Sequence, residues 1–172
     1  SLMEGAGQVS LESSGIGTYD VSWPARAEAA NGKTSPEELL AAAHAFRAWA
    51  VAEPSRYSLL YGSPVPGYAA PPEVTIEPGT RVIGILLGLV AEGVTRGDVP
   101  DRPAPHDPPE PLAGDLRVVG AEVGLATHPA VLSRALLLWA TVVGGTSLEV
   151  FGQYGADTFR DPRQAYDQQV RM

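Results

Sequence analysis

The chain has 172 residues, 20 acidic and 12 basic side chains, three histidines and no cysteine. This length holds one ordinary domain with or without an appendage. The formal charge of −8 works against binding phosphate backbones or anionic membranes, which need Lys and Arg in excess. Lack of cysteine excludes disulfides, thiolate metal sites and thiol catalysis, and suits a cytoplasmic protein.

Residues 5–35 read as β and turn. Gln8–Glu12 and Tyr19–Trp23 alternate polar and apolar around a glycine-containing turn, which predicts a hairpin. A helix follows over 36–53, with Ser35 as N-cap, Pro36 in the first turn and Glu38 placed for a capping box. Leu39, Ala43, Phe46 and Ala50 form its apolar stripe, and Pro54 ends it. Ser55–Tyr61 is a short helix, and the four prolines within Ser63–Pro72 make extended loop. Pro78–Thr95 is a helix with Val82, Ile85, Leu86, Leu89 and Val90 facing inward.

Gly97–Pro111 is a Pro- and Asp-rich excursion, and Leu112–Gly124 a shorter helix. Thr127 is the expected cap of a long helix reaching about Gly155, where Gly144-Gly145 allows close contact or a kink. Asp161-Pro162 starts a last helix. A bilayer span needs ~20 apolar residues; Val82–Ala91 and Ala135–Gly145 are shorter, so no membrane association is expected.

Two resemblances meet in the helix at 36–53. Gly7-Gln8-Val9, Trp23-Pro24-Ala25-Arg26 and Pro36-Glu37-Glu38-Leu39, within residues 5–45, are similar to the start of OsmC/Ohr peroxide reductases. That resemblance implies a β-wrapped dimer whose cysteine thiolate attacks an organic hydroperoxide, poised by an arginine and a glutamate matching Arg26 and Glu37. Arg47 stands where the cysteine would be. A peroxide-stress protein that has lost its catalytic cysteines is therefore the alternative reading, and a thiol peroxidase without a thiol has no chemistry.

Residues 41–172 resemble the C-terminal regulatory domain of TetR-type transcription regulators. The matching blocks are Phe46–Ala50 with Pro54, Arg56-Tyr57 and Leu60–Gly62; Pro64–Tyr68; and Trp139–Gly152. The subclass resembled carries a Trp–His–Gly signature, and Val143 replaces its histidine here. The resemblance implies a mainly α fold, with helices around an apolar pocket and the last long helices pairing with their copies in a four-helix dimer interface.

The chain thus divides into an OsmC-like hairpin segment at 1–35 and an all-α domain at 36–172. The expected function is ligand sensing and dimerisation in a TetR-like regulator, without enzymatic activity or a cofactor. The partners expected are a small hydrophobic effector and a second copy. Trp49, Tyr57, Tyr61, Tyr68, Trp139 and Glu149 are the candidate ligand contacts. Leu138, Val142, Gly145 and Leu148 are the candidate dimer contacts. Residues 1–35 show no helix-turn-helix pattern, so the chain as given is not expected to bind DNA directly. His44, His106 and His128 lack metal-ligand spacing.

Overall fold

The computed structural model describes residues 35–63 and 72–171. Six helices form its body: α1 Ser35–Ala52, α2 Pro54–Tyr61, α3 Pro72–Arg96, α4 Leu112–Glu122, α5 Pro129–Val150 and α6 Pro162–Val170. No strand occurs among the described residues. The hairpin expected over 8–23, Arg26 and Tyr68 lie outside them.

α5 is the axis of the molecule and packs against α1, α3, α4 and α6. Its inward face joins two apolar clusters. One gathers Leu86, Leu87 and Val90 of α3, Leu116 of α4, and Val131, Leu132 and Ala135 of α5. The other gathers Ala43, Phe46 and Ala50 of α1, Tyr57 of α2, Val142 of α5 and Tyr166 of α6. Leu138 and Trp139 border both clusters and make the core continuous. Each fully buried side chain such as Phe46 or Leu132 contributes about 1.5–3 kcal/mol against the entropy of ordering the chain.

The helix ends follow local chemistry, with several departures from expectation. Glu38 is buried, and its carboxylate pairs with Arg96 at the end of α3; the side chain of Ser35, its expected capping-box partner, lies outside what is described. α3 starts at Pro72 rather than Pro78. Pro72 fills the first-turn position that suits proline, and Pro78 sits inside the helix, where its ring removes one ladder bond.

The cap of α5 is His128, not Thr127: His128 Nδ1 accepts from the Ala130 N–H at 3.2 Å. Thr127 turns outward and donates to Asp101 at 2.6 Å, and the His128 N–H donates to the same oxygen at 2.7 Å. Asp101 thus fixes the start of α5 from the excursion. α5 also stops at Val150 rather than near 155. Gly152 is left-handed at φ 67°, its N–H bonds Glu149 O, and the Gln153 N–H bonds Leu148 O. That paired pattern closes a helix at a glycine.

α5 is 22 residues long with a stretch of mean hydropathy 1.4, so its length and composition suffice to cross a membrane, contrary to expectation. Here it is the central helix of the helical body, in contact with four others.

Candidate functional site

α1, α2 and α5 build an aromatic cluster around Phe46. Its ring centroid lies 6.0 Å from Trp49, 6.0 Å from Tyr57, 5.4 Å from Tyr61 and 5.7 Å from Trp139. Most of these pairs are edge-to-face, whereas Tyr57 and Tyr61 stack at 5.0 Å. One helical turn separates Phe46 from Trp49 and Tyr57 from Tyr61, which places each pair on one face. The cluster brings together Trp49, Tyr57, Tyr61 and Trp139 of the six expected ligand contacts. Phe46 is its centre, and Phe151 joins it 5.9 Å from Tyr57. Phe46 already stands in the apolar stripe of the sequence, and only its role as hub needed coordinates.

The cluster is tightly packed. Tyr57 is fully buried, yet its hydroxyl donates to Val143 O at 3.2 Å and lies 2.6 Å from Ser147 Oγ. Burial raises the Tyr57 phenol above its ordinary value, and the Ser147 bond opposes the shift. Burial, with Tyr57 alongside, pushes Tyr61 up to about 12.

Glu149 does not face the aromatic rings. Arg47 grips it with both arms of the guanidinium, Nε donating to Oε2 at 2.6 Å and Nη2 to Oε1. The Arg47 guanidinium also lies over the Tyr166 ring, 5.8 Å from its centroid. Tyr166 donates to Ala43 O at 2.9 Å, and burial pushes its phenol up to about 12. Next to it, His44 Nε2 lies 2.8 Å from Asp167 Oδ1, and Arg171 Nε donates to Asp167 Oδ2 at 2.6 Å. Arg171 first and His44 second hold the Asp167 carboxyl below its usual range. These links tie α6 to α1 and α1 to the end of α5.

Two hollows remain. A void of about 20 Å³ lies between α1, α3 and α5, walled by Ala42, Ala43, Phe46, Val82, Ile85, Leu86, Trp139 and Val142. It is roughly the space of one water, and apolar side chains wall it. A larger open groove of about 340 Å³ runs over Leu39, Leu40, Ala43, Leu138 and Val170, with Glu37 and Arg171 at its edge. The aromatic cluster itself encloses neither hollow, although Phe46 and Trp139 reach the smaller one.

Of the expected dimer contacts, Val142 is buried in the protomer's own core. Gly145 lies under α6, where a Cβ would come within 2.6 Å of Gln169 Oε1 and 3.2 Å of Tyr166. Leu138 packs on both core clusters, and Leu148 is half-buried. Among the described residues, no group of three or more His, Asp or Glu side chains is placed to hold a metal ion.

A helical body packed around one long helix, with an aromatic cluster and paired charges, defines an all-helical domain among the described residues. Residues 39–172 match the family described as Tetracyclin repressor-like, C-terminal domain, and the chain belongs to it. It is 45% identical over 136 residues to the HTH-type transcriptional regulators Rv1816 of Mycobacterium tuberculosis and Mb1846 of Mycobacterium bovis. That alignment covers 79% of this chain and 57% of each relative, so the chain spans little more than half of their length. A crystal structure of SCO4313, described as a regulatory protein, superposes with a TM-score of 0.60 at 29% identity. The superposition covers 86% of this chain and 63% of that one.

Proposed function

We propose that this chain is the effector-sensing and dimerising half of a TetR-like transcription regulator. The observation that carries the reading is the convergence of α1, α3 and α5 on an interior wall whose described lining is apolar and aromatic. That wall lies within the family-matched residues. Such a wall accepts a small neutral hydrophobic molecule and rejects a charged one, because no ionic partner lines it among the described residues.

The hollow holds only about 20 Å³, so an effector larger than a water has to separate α3 from α1 and α5 to fit. Occupancy therefore moves helices, which is what a sensor requires. Phe46 and Trp139 form the end of the pocket nearest the aromatic cluster. Trp49, Tyr57 and Tyr61 support that wall from behind, and Glu149 holds the frame through Arg47. DNA reading falls to a separate part in this reading. No residue of 35–171 is assigned to it.

Dimerisation is assigned to the outward face of α5. Leu137 is 68% exposed, Ala140 is exposed, Gly144 has open space around it, and Leu148 and Phe151 continue the line. Their spacing of three, four, four and three residues makes one seam along the helix. The peroxide-reductase alternative has no observation in its favour. No cysteine exists, and Arg47, at the position of the missing nucleophile, is committed to Glu149.

The test is a thermal-shift panel of neutral hydrophobic probes, from toluene to decanol, on the full chain. At least one probe raises the melting temperature, and Ile85→Glu, which puts a carboxylate in the pocket wall, abolishes the rise. Absence of any shift across the panel, or an undiminished shift in a folded Ile85→Glu protein, would refute the assignment.

A further inference from the structure

α3 is held unevenly along its length. Its later half is fastened firmly. Leu86, Leu87 and Val90 are buried against Leu116 of α4 and Val131 and Leu132 of α5, and Val94 and Val99 pack on the same cluster. The end is closed by a left-handed Gly97 at φ 80°. The Asp98 and Val99 N–H groups both donate to Gly93 O, at 2.9 and 3.0 Å. Arg96 pairs with the buried carboxylate of Glu38 on the first turn of α1, and its Nε lies 3.3 Å from Asp98 Oδ2. Pulling this end from α1 would strand the Glu38 charge among apolar neighbours, which is strongly unfavourable.

The earlier part is held more lightly. Pro78 has no N–H to give to the helix ladder. Residues 80–84 are exposed or half-buried. A Cβ on Gly84 would meet nothing within 4 Å, so no neighbour presses on the helix there. The hollow lies where the two parts join, with Val82, Ile85 and Leu86 as its α3 wall. The start of α1 meets the end of α3, whereas Phe46, further along α1, shares the hollow with Val82; the two helices run antiparallel. At ~1.5 Å per residue, Gly84 stands about 18 Å along the helix from Arg96.

We propose that α3 opens as a lever. Its Arg96 end stays pinned on Glu38, and the part before Leu86 swings away from α1 and α5 to admit the effector. This rests on the sensing assignment above and adds the direction of opening and the pair that sets the pivot. Arg96 and Glu38 are positioning residues here and touch no effector. A molecule one carbon layer thick displaces the wall by about 3 Å. Gly84, far out on the lever, moves by nearly that much, and Thr95, one residue from the pin, by under about 0.5 Å.

Pulsed electron–electron double resonance on the full chain tests this. No cysteine is present, so pairs introduced at exposed positions label cleanly. Gln164→Cys on α6 is the common reference, because α6 packs on α1 and α5. It is combined with Gly84→Cys or Thr95→Cys, all three positions being exposed, and labelled chain is diluted into unlabelled chain. Each sample is saturated with the member of the toluene-to-decanol panel that gives the largest thermal shift. The Gly84 distance changes by about 2–3 Å, and the Thr95 distance by under about 0.5 Å. Glu38→Gln weakens the pin, and the Thr95 distance then shifts as well. Glu149→Gln weakens the Arg47 pair instead, which does not involve α3, and leaves the Thr95 distance fixed. Equal changes at Gly84 and Thr95 without a pin variant would overturn the lever, because α3 would then move as one body. A Thr95 distance that stays fixed in Glu38→Gln overturns the pin. No change at either position, with binding that Ile85→Glu abolishes, removes the lever and leaves the sensing assignment standing. Binding undiminished by Ile85→Glu, or no thermal shift from any probe, removes both.

Discussion

At the residue scale the polar side chains form a frame for an apolar interior. Arg47 and Glu149 each sit inside an apolar helix, and each is mostly shielded from water, at 13% and 15% side-chain exposure. Removing one partner strands a charge. Glu149→Gln therefore costs about 2–3 kcal/mol in chemical denaturation, somewhat below a fully buried pair. Arg47→Met with Glu149→Leu recovers most of that loss, because packing replaces a desolvated pair.

Gly120→Ala is expected to destabilise by about 1–3 kcal/mol, since its Cβ would lie 2.7 Å from the Leu125 carbonyl oxygen. The tyrosines fix the alkaline limit. Tyr61 and Tyr166 keep their protons up to about 12 in the folded state, above the ordinary 10.0. The stability they contribute is complete below 10 and is lost as pH rises through 12. Tyrosinate absorbance at 295 nm should therefore rise together with loss of the helical signal in that window.

Much of this chemistry was legible in the sequence as composition but not as pairing. The aromatics at helical spacing announced a cluster. Glu149 stood among the candidate ligand contacts, and linear sequence does not say that Arg47, 102 positions earlier, pairs with it.

At the element scale the helices were readable because apolar periodicity and proline or glycine punctuation agree. The errors fall where two local signals compete. Glu38 pairs with Arg96 of α3, a partner 58 positions away that no local signal names. Thr127 and His128 both precede Pro129, and the distant Asp101 decides between them by taking the Thr127 hydroxyl. Val142 and Gly145 looked available for a partner because a lone helix does not reveal which faces its own neighbours cover.

Asp101 gives an element-level prediction. The Thr127 hydroxyl and the His128 N–H hold its carboxyl below the ordinary 3.8. Its hold on α5 is complete above that value and is lost as pH falls through the lower folded one. Asp101→Asn should remove the acid sensitivity of amide exchange at the start of α5. It should also raise exchange there at neutral pH, while the α1 amides are unchanged.

At the scale of the whole molecule, the sequence presents two family resemblances and the structure bears on one of them. Family-matched residues begin at 39, inside α1. Arg96 of α3 reaches back across that boundary to Glu38, so the first turn of α1 is fastened to the rest of the body. The helices followed from periodicity, and the resemblance implied the mainly α fold. The small volume of the pocket followed from neither, because side-chain volumes fill space only once helix positions are known.

The central claim is that α3 parts from α1 and α5 to admit a neutral hydrophobic molecule. Methyl NMR of the full chain, titrated with the probe that gives the largest thermal shift, tests it most directly. The account predicts that the Val82, Ile85, Leu86 and Val142 methyls move together and saturate, while those of Leu112, Val118 and Val119 on α4 stay in place. Saturable shifts confined to α4, or to the groove residues Leu40 and Val170, would contradict it.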